Sequence, residues 1–200
     1  MKYLYINGYK TIGIKEFYNW YYGKIEYYGK ILMITFDDGK YEDYYLVYPI
    51  LKKYHFKAVS FIVGSRISNI TKKYHKFEIN FIGLDVINKI RKEYPFFEFQ
   101  SHSYNMHVKF NKTAKIYLMS EKEFDEDFRS NKKYKFSVFA YPYGYHNEKI
   151  KYFLKKYNYL FAFTFGKSGY ATRNNKRFLI PRIKINDLAD LNTLKKWLVK

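Results

Sequence analysis

The run Ile31-Leu32-Met33-Ile34-Thr35-Phe36 stops abruptly at Asp37-Asp38-Gly39, and no other stretch constrains the fold as tightly. Rich in β-branched and aromatic side chains and flanked by Gly29 and Gly39, it reads as one strand of a parallel sheet or barrel, apolar on both faces. Two carboxylates then stand at its carboxyl end, where α/β folds open onto their ligands. Adjacent side chains on an extended backbone diverge, so Asp37 and Asp38 are expected to do different jobs, one binding a metal and the other handling a proton. Taken alone, Asp-Gly after a strand is just as much a turn signal.

A second strand end repeats the pattern. Phe96-Phe97-Glu98-Phe99-Gln100-Ser101 leads into His102 and, five residues on, His107. That spacing is not one helical turn, so the imidazoles have to meet across a loop. Neutral imidazole suits zinc and related divalent ions, and two histidines with one carboxylate make three protein ligands with a position left for water. His55 and His75 belong to no such group and read as surface or helix-end residues, while Tyr104 and Met106 shape the loop or pack inward.

Helical and extended patterns alternate along the rest of the chain. Ile14, Phe17, Tyr18 and Tyr21 recur at helical spacing before Gly23, a segment expected on the outside or bottom of a barrel. Residues 42–55 keep a helical period through Tyr44, Val47, Ile50, Leu51 and Tyr54, with Pro49 placed to kink it. Residues 58–63 read as the next strand, which makes the connection a parallel crossover. A helix through Leu84, Ile87 and Ile90 is stopped after Tyr94 by Pro95, and Ser120 with Glu123 forms the capping box of a helix running through Phe128. Residues 138–141 then read as strand, 147–157 as helix, 160–163 as strand and 191–198 as helix. Such alternation, without a short fixed repeat, argues for an α/β barrel over a solenoid.

A chain of 200 residues, 48% of them hydrophobic, can bury one core and is too short for two enzyme-sized domains, so residues 1–200 read as a single catalytic domain. It has no cysteine, which leaves nitrogen and oxygen ligands for any metal. From Met1 onward no apolar stretch suits a secretory signal or a membrane span, so the expectation is a soluble chain without an export signal. With 37 Lys and Arg against 18 Asp and Glu, the formal charge of +19 would attract polyanions, and 25 Tyr and 19 Phe could stack on bases. The lysines are nevertheless spread in pairs such as Lys52-Lys53, Lys132-Lys133 and Lys155-Lys156. An anionic cell-wall environment, or plain solubility, therefore ranks above nucleic-acid recognition.

Thr35-Phe36-Asp37-Asp38-Gly39, Ser101-His102-Ser103-Tyr104-Asn105-Met106-His107 and Phe139-Ala140-Tyr141-Pro142-Tyr143-Gly144 resemble, in order, three motifs of the polysaccharide deacetylases, carbohydrate esterase family four. The resemblance covers roughly residues 6–185, and is nearest to the branch that includes biofilm poly-N-acetylglucosamine deacetylases. It implies an irregular, incomplete (β/α) barrel. It also implies metal-dependent hydrolysis of N-acetyl groups from N-acetylglucosamine-containing polysaccharide, with water as nucleophile and acetate released. Under it Asp37 is the base, and Asp38, His102 and His107 hold a divalent ion, zinc before cobalt or nickel. The Tyr143 backbone N–H helps to hold the oxyanion, and Tyr141, Pro142 and Tyr143 line the substrate pocket. The implied partner is an acetylated glycan, met in the cell envelope or elsewhere outside the cytoplasm, although the chain shows no export signal; the residues leave the oligomeric state open, with a monomer favoured.

The sequence departs from the family pattern where protons are handled. The third motif usually carries an arginine that orients the catalytic aspartate, but Ser137-Val138-Phe139-Ala140 has no basic residue. Arg182, in Pro181-Arg182-Ile183, resembles a feature of the same branch and could pair with Asp37, or else form a structural ion pair. The usual late histidine is missing: Ile183 is followed by Lys184, Ile185, Asn186 and Asp187, and no histidine comes after His146. His146 reads as a helix cap or a solvent-facing residue, which leaves Asp37 to move the proton in both directions. The rival readings are O-acetyl ester hydrolysis on cell-wall sugars, a glycan-binding homologue with little or no turnover, and, third, nucleic-acid binding.

Overall fold

The structure, a computed structural model, describes residues 1–72, 79–165, 169–185 and 189–198; His75, Asn186 and Asp187 lie outside the described residues. In chain order the elements are α1 (Lys2–Ile6), β1 (Lys10–Thr11), α2 (Ile14–Tyr21), β2 (Ile31–Leu32), β3 (Ile34–Asp38), α3 (Tyr48–Tyr54), β4 (Ala58–Ile62) and α4 (Leu84–Glu93). There follow β5 (Phe97–Ser101), β6 (Lys109–Phe110), β7 (Thr113–Ala114), α5 (Glu121–Asn131), β8 (Val138–Ala140), α6 (Glu148–Lys156), β9 (Phe161–Phe163) and α7 (Leu191–Leu198). Strands β3-β4-β5-β8-β9 form, in that order, a curled, all-parallel half-barrel sheet, as the alternation of strands and helices requires.

Alternation along the strands sorts the core into layers. Ala58 and Ile62 of β4 and Phe97 and Phe99 of β5 face α3 and α4, where they pack with Leu51, Ile87 and Ile90. Phe139 and Ala162 face α5 and α6 and meet Phe124, Phe128, Ile150, Phe153 and Leu154. The concave face carries Val59, Phe61, Val138, Ala140, Phe161 and Phe163, covered by Ile14 and Phe17 of α2. Glu98, near the start of β5, accepts the Ile14 N–H at 2.8 Å, so α2 closes the bottom of the half-barrel from its inner side.

Two sequence expectations change. The apolar run is not one strand but two, divided at Met33: Ile31–Leu32 pairs with Lys10–Thr11, and Ile34–Asp38 pairs with β4 and includes both aspartates. Nor is the run buried on both faces. β3 is the edge strand and stays half-exposed along its length, since only β4 lies beside it. Pro49 does lie inside a continuous helical run, residues 41–54: a π-helical turn, Asp43–Val47, runs straight into α3, and the irregular turn falls just before the proline, which has no N–H to give to it.

Register then positions the motifs. Asp38 pairs with Ile62, Ile62 with Ser101 and Ser101 with Phe139, one row of residues across four strands. The residues that follow this row, His102 and Tyr141 among them, emerge together at the carboxyl end of the sheet.

Candidate active site

Asp37 and Asp38 leave β3 in different directions. Asp37 points to the concave side with Thr35, and both accept hydrogen bonds from Arg182 Nη1, at 2.7 and 3.1 Å. Arg182 Nη2 reaches the other Asp37 oxygen at 2.8 Å, and its Nε donates to Thr164 O at 3.2 Å, which fixes the guanidinium from behind. Asp38 has φ +79, a left-handed conformation that few residues other than glycine adopt, and this turns its carboxylate toward the histidines. Burial alone would raise the Asp37 carboxyl, but the Arg182 guanidinium, with His102 and His107 behind it, holds it at about 2.

His102 is buried, and its Nδ1 lies 2.8 Å from Ala140 O. A carbonyl only accepts, so Nδ1 carries the proton and Nε2 presents a lone pair. That Nε2 is 3.8 Å from Asp38 Oδ1, and His107 Nε2 is 3.2 Å from the same oxygen. Burial lowers the pKa of both imidazoles; for His107 the neighbouring His102 lowers it further, while for His102 the two aspartates act in the opposite direction. Asp38 Oδ1 is buried and accepts no hydrogen bond among the described residues. One ligand atom from each of Asp38, His102 and His107 lies within 4.8 Å of the others. Neutral imidazole and carboxylate acceptors converging on one point, with an orphaned oxygen among them, fit a divalent cation with nitrogen and oxygen ligands.

The third motif adds a wall. Pro142–Gly144 forms a tight turn with Tyr143 at φ +57, closed by Gly144 N–H to Tyr141 O and Tyr145 N–H to Pro142 O. The Tyr143 ring lies against His107, with centroids 4.3 Å apart. Tyr141 does not fit the sugar-facing place expected of it. Its ring is fully buried and its hydroxyl donates to Phe178 O at 2.9 Å, because β8 carries it into the core behind the site. Pro142 is buried beside it. His146 is solvent-exposed and does not cap α6; Asn147 does, through its side chain to the Ile150 N–H.

Sequence reading missed the residues that hold the two-histidine loop. Asp127 of α5 accepts the N–H of Tyr104 at 2.8 Å and that of Asn105 at 2.6 Å, and Ser103 and Tyr104 give their carbonyls to the N–H groups of Gly64 and Ser65. The signal was present: Phe124, Asp127, Phe128 and Asn131 fall on one helical stripe, and two polar groups on a buried stripe need partners. Arg66 was also missed. Its Nη1 lies 3.9 Å from Asp38, and its Nη2 donates to His107 O at 3.4 Å.

The sequence model of the polysaccharide deacetylase family matches residues 24–162. A poly-beta-1,6-N-acetyl-D-glucosamine N-deacetylase of Staphylococcus aureus strain MRSA252 is 31% identical over 196 residues, covering 94% of this chain. The chain spans 65% of that relative's length. Among solved structures, IcaB from Ammonifex degensii matches with a TM-score of 0.79 at 20% identity, covering 98% of this chain and 85% of that one. The Streptococcus pyogenes deacetylase PplD, in complex with acetate, matches with a TM-score of 0.79 at 22% identity, covering 98% and 83%. At these identities the two structures speak for the fold.

Proposed function

The chain belongs to the polysaccharide deacetylase family, and from that premise we propose that residues 1–200 act as one catalytic domain. It hydrolyses N-acetyl groups of an N-acetylglucosamine-containing polysaccharide, releases acetate and works in the cell envelope or elsewhere outside the cytoplasm. The observation that carries this reading is the convergence of Asp38, His102 and His107 beside an aspartate, Asp37, that is gripped by an arginine. The relative named for poly-beta-1,6-N-acetyl-D-glucosamine supports the choice of glycan.

Asp38, His102 and His107 would hold the divalent ion, zinc, cobalt or nickel, which supplies a Lewis acid and lowers the pKa of water. Ala140 O keeps the His102 proton on Nδ1, which leaves Nε2 as the nitrogen that would bind the ion. Asp37, ionised by Arg182, accepts a proton from the attacking water. The Tyr143 N–H, in its constrained turn, donates to the oxyanion, a contact worth about 3 kcal/mol. Asp37 also returns the proton to the departing amine, since the positions after Ile183, where the family pattern has its late histidine, carry Lys184, Ile185, Asn186 and Asp187. This two-way use of one carboxylate predicts a slow enzyme.

The test is acetate release from N-acetylglucosamine oligomers by chelated protein re-supplied with zinc, cobalt or nickel, beside Asp37→Asn. Activity restored by metal and absent from the variant supports the reading. Failure to bind any of the three metals overturns it.

A further inference from the structure

We propose that the wall on the His107 side of the site is a binding track for the glycan chain beyond the reacting sugar, formed by Tyr143, Tyr145 and Tyr117 with Lys109. The proposal rests on the deacetylase reading and adds to it the place where flanking sugars lie. From His107 the rings follow one another without a gap: His107 to Tyr143 at 4.3 Å, Tyr143 to Tyr145 at 6.1 Å and Tyr145 to Tyr117 at 5.5 Å between centroids. Exposure rises outward, from a half-buried Tyr143 to 36% at Tyr145 and 52% at Tyr117. The local fold ties both ends of the line to the site. Tyr143 and Tyr145 belong to the turn after β8, and Tyr117 ends the 3₁₀ turn that follows the β6–β7 hairpin, which begins two residues after His107.

Exposed aromatic rings are ordinary in a chain with this composition, but a line of them that starts at a candidate ligand is not scattered exposure. Lys109 Nζ lies over the Tyr143 ring, 4.4 Å from its centroid and 5.7 Å from that of Tyr145. The rings that offer a face to the apolar C–H face of a pyranose are therefore the exposed Tyr145 and Tyr117, with the ammonium supplying donors for hydroxyl and acetamide oxygens. Apolar area with a few placed polar groups is how sites for small polar ligands are built. Single-stranded nucleic acid also stacks on such rings, and it is the outcome that the test separates. The track takes over the role that sequence reading gave to Tyr141, whose ring is buried.

The experiment compares wild type, Tyr117→Ala, Tyr145→Ala and the control Tyr117→Phe, using N-acetylglucosamine dimer and hexamer. The ratio of kcat/KM for hexamer over dimer is expected to fall about fivefold for each ring removed, chiefly through the hexamer KM, and to be kept by Tyr117→Phe. An unchanged ratio overturns the track. If wild type releases no acetate, the deacetylase reading fails by itself, and the track is then decided by calorimetric affinity for the hexamer. A fall in both alanine variants supports it, and equal affinity overturns it. Binding of single-stranded DNA that is lost in the same variants, with no hexamer affinity in wild type, also overturns it.

Discussion

Arg182 closes on Asp37 with both prongs of its guanidinium, Nη1 to Oδ1 at 2.7 Å and Nη2 to Oδ2 at 2.8 Å, across 145 positions of sequence. A two-pronged pair fixes the plane of the carboxylate as well as its charge, which a lysine cannot do. Asp37→Asn is expected to lower single-turnover acetate release about 10²–10⁴-fold, and Arg182→Lys to lower it less, with metal still bound in both. His146→Ala keeps the wild-type rate if Asp37 returns the proton. If that variant loses turnover with its metal in place, the proton donor is His146.

Asp127 holds the loop between the histidines by accepting two consecutive backbone N–H groups from a buried position. In Asp127→Asn only the amide oxygen can accept, and its NH₂ group is forced toward a second donor. Metal affinity, measured by cobalt titration, is expected to fall about 10–100-fold, the range for groups that orient ligands from behind. Hydrogen exchange at the Tyr104 and Asn105 amides should quicken in the same variant. Unchanged affinity and exchange would show that the Gly64–Ser65 side holds the loop alone.

Local signals read well where one element decided them. Apolar period placed α2, α4 and α6, Pro95 ended α4, and Ser120 with Glu123 forms the reciprocal cap of α5. The aspartates and histidines were legible as polar groups at strand ends because the apolar residues of β3 and β5 lead directly into them. What stayed hidden depends on partners far off in sequence. The break at Met33 arises because Lys10–Thr11 takes Ile31–Leu32 away from the main sheet. The burial of Tyr141 against the exposure of Tyr145 is set by how β8 enters the core, and the two tyrosines look alike in sequence. The role of Asp127 appears only when α5 packs under the loop.

Gly144 sits at φ +75, and a Cβ there would stand 2.1 Å from Phe165 O. The carbonyl is backbone and cannot swing aside as a side-chain tip would. Gly144→Ala is therefore expected to cost at least about 1–2 kcal/mol from the left-handed backbone alone, with the collision added. Urea unfolding measures the loss. Acetate release should fall more than stability does, because the strain moves the Tyr143 turn. A variant as stable as wild type would mean that the turn relaxes in solution.

Asp43 gives the pH dependence. Its carboxyl is buried and held 2.5 Å from Ser60 Oγ; burial, reinforced by the charges of Asp37, Glu42 and Asp38, pushes it up to about 7 against the lowering effect of that hydrogen bond. The folded chain thus keeps this proton over a range in which the unfolded chain, with an ordinary aspartate near pH 4, has released it. The contribution to stability is fully present below about pH 4, is lost as the pH rises toward about 7, and is constant above that. The loss amounts to at most about 1.4 kcal/mol for each pH unit of the window. Asparagine keeps the shape and an acceptor for Ser60 but has no proton to lose. In urea unfolding from pH 4 to pH 8, Asp43→Asn should therefore gain on wild type steadily to about pH 7 and run parallel to it beyond. Parallel curves over the whole range would mean that Asp43 is ionised in the folded chain from pH 4 upward, with the Ser60 hydroxyl donating to its charged form.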